Sequence, residues 1–255
     1  MPIKRIAVLA VIAALALAAL ALAAPAHAVT TQSVEFQARY SSGARHKSRA
    51  GTSLRTILRI SDPAAIAPLR LTRTVLRFPK GSVTNGRFFP KCNPAALQAR
   101  GPKACPKGSL LGKGIGRGAA PPFVNVVNAK VSLYNGTLSG GNQRILIYTL
   151  PDIGPVLVFT GVLKKVKGPR YGYELDTPIP RIPTLPNQPD AAVTFFDATV
   201  RDLTVRHRGR TIHYIDSPVV CDGTFFMLDG AFSYQDGTTN DVLERFTLNG
   251  GPRCP

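Results

Sequence analysis

From residue 31 to residue 248 the chain is cut into about a dozen short segments, each closed by Gly, Pro, Asn or Asp after roughly 8–15 residues. Most alternate apolar and polar side chains, the period of a strand with one face in water. Residues 31–40 set Val34, Phe36, Ala38 and Tyr40 against polar neighbours. Residues 53–60 and 69–78 repeat the pattern, and residues 155–163 are almost continuously apolar, as in a strand buried on both faces. Asn135-Gly136 and Asp236-Gly237 are hairpin-turn pairs. This spacing predicts an all-β chain, an antiparallel β-sandwich forming one domain over residues 29–255. Residues 177–188 carry Pro178, Pro180, Pro183 and Pro186, which fixes an extended crossover between sheets.

One stretch breaks the pattern. Residues 78–118 contain Phe78-Pro79-Lys80-Gly81, Phe89-Pro90-Lys91-Cys92, Cys105-Pro106-Lys107-Gly108-Ser109 and a run of alternate glycines. Asn93 is a good N-cap, Pro94 suits the first helical position, and Gly101 can stop the helix. About two helical turns are therefore predicted between the cysteines. After them Gly112, Gly114, Gly116 and Gly118 share one face of a strand, with Lys113, Ile115 and Arg117 on the other. Glycine weakens a strand, so a bare face needs a reason. Close approach of another backbone, a ring or a disulfide is the expected one. A phosphate loop would need a helix N-terminus after the glycines, and Ala119-Ala120-Pro121-Pro122 follows instead.

The N-terminus reads as an export signal over residues 1–28. Lys4 and Arg5 precede the apolar run at 6–24, and Ala26-His27-Ala28 is a small-x-small cleavage site. No later apolar stretch is long enough to span a bilayer. Four cysteines, Cys92, Cys105, Cys221 and Cys254, suit an oxidising compartment. Three pairings are open, and the shortest loops favour Cys92–Cys105 with Cys221–Cys254. In a chain-entropy account these bridges contribute about 3 and about 4 kcal/mol. The spacings lack a zinc knuckle.

Charge is the most informative total. The formal net charge is +18, and it is uneven. Residues 29–151 hold 19 Lys and Arg against Glu35 and Asp62, whereas residues 152–255 hold 11 against 12 acids. That asymmetry points to a surface for an anionic partner. The candidate anion-binding residues are Arg70, Arg73, Arg77, Lys80, Arg87, Lys91, Lys107, Lys113 and Arg117.

The segments Phe78-Pro79-Lys80-Gly81, Asn85, Phe89-Pro90-x-Cys92, Cys105-Pro106-x-Gly108-Ser109 and Gly112-x-Gly114 resemble a group of uncharacterised secreted proteins of high-GC Gram-positive bacteria. In that group a late cysteine pair flanks a strand and an Asp-Gly turn, like Cys221, Asp236-Gly237 and Cys254. The resemblance implies an exported β-rich protein and the same two bridges, and it implies no activity.

No catalytic, metal or cofactor constellation stands out. His213 and Asp216 lie close in sequence, with Asp202 nearby, but no Gly-x-Ser-x-Gly elbow supplies a nucleophile. Asp190, Asp197 and Asp202 define no glycosidase cleft, and the chain has no Trp for sugar stacking. Asn135-Gly136-Thr137 is a glycosylation sequon. Export makes nucleic acid a poor partner for the basic half. The expectation is a non-enzymatic envelope-associated protein meeting anionic wall polymers or lipid headgroups. The alternatives are a secreted hydrolase using His213 with Asp216 or Asp202, and a subunit of a surface assembly.

Overall fold

The computed structural model describes residues 32–40, 50–122, 124–184, 186–218 and 226–246. The stretch expected to be an export signal, the basic segment around Arg45 and His46, and the expected Cys221–Cys254 bridge lie outside the described residues. From Thr31 onward the chain forms one compact unit.

Eleven of its strands form a single antiparallel sheet. In chain order they are β1 (Ser33–Tyr40), β2 (Leu54–Ser61), β3 (Leu71–Pro79), β5 (Leu110–Ala120), β6 (Val124–Asn135), β7 (Gln143–Pro151), β8 (Leu157–Lys165), β9 (Tyr171–Pro178), β10 (Ala192–Val200), β14 (Phe226–Tyr234) and β15 (Thr239–Phe246). Short pairs complete the set: β4 (Val83–Thr84) with β13 (Ile215–Asp216), and β11 (Thr204–His207) with β12 (Arg210–His213). Across the sheet the order is β1-β2-β10-β5-β6-β7-β8-β9-β3-β14-β15. The outermost strands β1 and β15 come within 8 Å, Cα to Cα. Asn240 of β15 donates to the Gln32 carbonyl just before β1, 3.2 Å. The sheet thus wraps into a near-barrel, and the two packed layers of the expected sandwich are its opposite walls. Wrapping places Phe36, Leu58, Leu133, Leu163, Leu228 and Phe232 in one buried interior cluster.

The glycine face of β5 explains how the wrap is made. β10 enters between β2 and β5 and pairs with both. A Cβ on Gly112 would collide with the Thr199 carbonyl, and one on Gly114 would lie 2.7 Å from the Ala198 Cα. At Gly118 it would meet the Ala192 carbonyl at 3.0 Å. The close neighbour is therefore a second backbone. Gly116 is the exception, its nearest atom being Val131 Cγ2 at 3.6 Å.

The two ends of the barrel differ. At the end where β3 finishes and β5 starts, residues 80–109 form a plug. Its helix α1 (Pro94–Arg100) starts on Asn93, whose side chain accepts from the Ala96 amide at 3.1 Å. Its stop is Gly101, at φ +69°. The Cys92–Cys105 disulfide closes this excursion, Cα to Cα 4.8 Å. Leu97 and Cys92 then pack on Tyr134, Leu146 and Tyr148 outside the barrel wall. At the opposite end two connections cross the mouth. One is residues 62–70, held where Gln32 accepts from the Leu69 amide (2.8 Å) and donates to Asp62 (2.7 Å). The other is the proline-rich link from β9 to β10, strands of the same sheet with four others between them.

Gly114→Val should destabilise the fold by about 3 kcal/mol, because its side chain must displace β10. Gly116→Ala should stay within about 0.5 kcal/mol, having ordinary contacts only. Chemical denaturation of both variants checks this; equal costs would contradict the close-packing account.

Candidate functional site

The interior of the barrel is not filled. A cavity of about 180 Å³ runs among side chains from nine of the eleven sheet strands. Its walls are Phe36, Leu58, Leu76, Phe159, Phe196 and Phe232, with Ala198 as a small residue among them. The strand β5 contributes no lining residue, its inner positions from 112 to 118 being glycine. Among the described residues no Lys, Arg, His, Asp or Glu lines the cavity. Sequence reasoning missed this site: a period of two says which side chains face inward, but not whether their volumes fill the space.

The plugged end of the cavity is polar but neutral. Tyr40, Ser82, Thr84, Gln143 and Tyr214 line it there. The Tyr40 and Ser82 hydroxyls are 3.0 Å apart. Gln143 donates to the Tyr214 hydroxyl, and Tyr214 donates to Asn135 Oδ1 at 3.3 Å. Burial pushes Tyr40 up to about 12 and pushes Tyr214 higher still, so both phenols keep their protons. Asn135 is buried and donates to the carbonyls of Gly86 (2.9 Å) and Pro90 (3.0 Å). Its side chain is committed to holding the plug, so the sequon offers no accessible acceptor.

The nine sequence-predicted cations do not gather. Arg73 and Arg77 stand on the outer wall of β3, between β9 and β14. Arg73 makes two bonds of 2.8 Å to Asp176. Arg77 reaches Asp229 at 2.5 Å and Glu174 at 3.3 Å. The acids come from the later half of the chain and neutralise this wall. Arg70 lies at the open mouth beside Asp190 and Gln235. Lys80, Arg87, Lys91 and Lys107 belong to the plug. There Arg87 covers the Phe88 ring at 4.6 Å, and Lys91 Nζ donates to the Arg87 carbonyl at 3.0 Å.

Lys113 and Arg117 are different. They are exposed on β5, next to Lys130 on β6. None of the three has a carboxylate within 4 Å among the described residues. Arg117 and Arg59 lie on the Phe195 ring at 5.2 and 5.3 Å. Exposed Ile115 stands directly opposite Lys130. Within this wall Asp197 is taken by Arg55, with bonds of 2.9 and 2.6 Å. A cationic, partly aliphatic strip therefore remains on β5 and β6. Sequence reasoning found two of its three cations and missed Lys130.

The His213 ring meets Asp202 at 2.7 Å. Of the two candidate partners, Asp216 instead accepts from Asn85 at 2.9 Å, because β13 pairs with β4 beside Asn85. No hydroxyl or thiol hydrogen-bonds to His213 among the described residues, and neither His213 nor Asp202 lines the cavity. No group of three His, Cys, Asp or Glu among the described residues could hold a metal ion. Among those residues no helix is long and apolar enough to cross a membrane. Compared with known proteins, the chain matches no family model, no curated protein sequence and no solved structure.

The ion pairs predict an acid limb. Arg73 holds Asp176 below its usual range, and Arg55 does the same to Asp197, in each case chiefly through the hydrogen bonds. A depressed carboxylate contributes stability that is complete above its unfolded value of about 4. That contribution is lost as pH falls from there through the folded value. Stability of the wild type should drop over this window, and Asp176→Asn should be less stable at pH 7 with a flatter acid limb. Parallel limbs for the two proteins in denaturation from pH 6 to about pH 2.5 would contradict the pairing.

Proposed function

We propose that this chain is a non-enzymatic binding protein that works outside the cytoplasm and encloses a small apolar molecule in its barrel. The uncharged cavity among nine strands carries this reading. Its volume of about 180 Å³ exceeds the roughly 150 Å³ that holds one benzene-sized guest in an engineered core. Left empty, such a void costs on the order of 4 kcal/mol, a large share of a typical fold's 5–15 kcal/mol. One enlarged residue at Ala198 or Thr56 would remove much of it. A bound apolar molecule offsets the same loss by restoring the missing contacts.

The disulfide and the basic n-region followed by an apolar run support an extracytoplasmic setting. A second reading concerns the outside of the same barrel. The unpaired strip of Lys113, Arg117 and Lys130, with Ile115 among them, favours contact with anionic wall polymers or lipid headgroups.

Toluene should bind saturably and raise the melting temperature of the wild type. Ala198→Leu, folded by circular dichroism, should lose both effects. No saturable binding to the wild type would overturn the reading. For the outer strip, retention on anionic lipid vesicles should fall as salt rises toward about 0.5 M, and Lys113→Glu with Lys130→Glu should abolish it. Retention indifferent to salt would remove that role.

A further inference from the structure

Resting on the enclosed-ligand reading, the distribution of polarity inside the barrel narrows the chemistry of the guest. We propose that the cavity selects an uncharged molecule with an aliphatic or single-ring body and one hydroxyl or carbonyl end. That end is seated at the plugged pole, against Tyr40, Ser82, Thr84 and Gln143.

Three observations converge on this. First, among the described residues no aspartate, glutamate, lysine, arginine or histidine reaches the cavity, so a carboxylate or ammonium guest would be buried without a counter-charge from them. Secondly, the hydrogen-bonding groups are unevenly placed. The plug end holds the phenols of Tyr40, Tyr173 and Tyr214, the hydroxyls of Ser82 and Thr84 and the Gln143 carboxamide, whereas elsewhere the walls are mainly Phe, Leu, Ile and Val, with only Thr56, Thr74 and Thr177 adding hydroxyls among the described residues. Thirdly, the polar groups are of the adaptable kind. A serine or threonine hydroxyl donates one bond and accepts two, so the Ser82 hydroxyl, beside that of Tyr40, and the Thr84 hydroxyl have capacity for a guest's oxygen. The plug's own frame does not depend on that capacity, because Asn135 ties residues 86–90 to β6 independently. A guest of this kind matches apolar wall to apolar body and hydroxyl to hydroxyl.

Calorimetry on the full mature chain at pH 8 decides the matter, with toluene, octan-1-ol and octanoate as probes. Octan-1-ol should bind at least about 30-fold more tightly than octanoate, which is ionised at that pH. Ser82→Ala with Thr84→Val should weaken octan-1-ol about tenfold and leave toluene unchanged. Should that pair not fold, Tyr40→Phe gives the same comparison at the same pole. If toluene binds but octanoate comes within threefold of octan-1-ol, neutral selection is overturned. If the polar-pole variants leave the ratio of octan-1-ol to toluene affinity unchanged, the orientation is overturned. If toluene itself does not bind, it is the enclosed-ligand reading that fails.

Discussion

The seat of β10 between β2 and β5 is the constraint on which the molecule turns. Without it the β1–β2 hairpin would have no neighbour on the β5 side, and the sheet could not curl round to bring β1 beside β15. Ordering β10 there is entropically costly, because its partners on β2 lie more than a hundred residues away. Two features offset this. The proline-rich link is pre-extended for its passage across the mouth. The glycine face of β5 lets the incoming backbone approach more closely than any side chain would allow.

The same interleaving rearranges the charge. Along the chain the basic residues precede the acidic ones, yet β3 is flanked by β9 and β14, which bring Glu174, Asp176 and Asp229 to Arg73 and Arg77. Asp197 on β10 likewise reaches Arg55. On β5 and β6, neighbours drawn from the same acid-free stretch, Lys113, Arg117 and Lys130 keep no carboxylate within 4 Å among the described residues. A segregation obvious in one dimension becomes a neutralised wall and a narrow cationic strip in three.

The cavity follows from these choices. A near-barrel of eleven strands encloses more space than its inward side chains fill, and β5 gives up its share to glycine. The plug closes one end with Asn135 and the bridged helix excursion. It leaves most of the barrel's interior polar groups at that end and its aromatic walls beyond.

Much of this was legible in the residues. Alternation marked the strands, Asn93, Pro94 and Gly101 bounded the helix, and the short Cys92–Cys105 loop pointed to its bridge. The bare face of Gly112 and Gly114 announced a close neighbour without naming it. These are local signals, set by chain geometry within a separation of 13 residues or fewer. Which strand lies beside which, that Asp202 rather than Asp216 meets His213, and that the interior stays hollow depend on contacts between distant residues. A repeating inward pattern is the same for a filled sandwich and for a hollow barrel, so only the folded sheet, with its curvature and summed side-chain volumes, could decide between them.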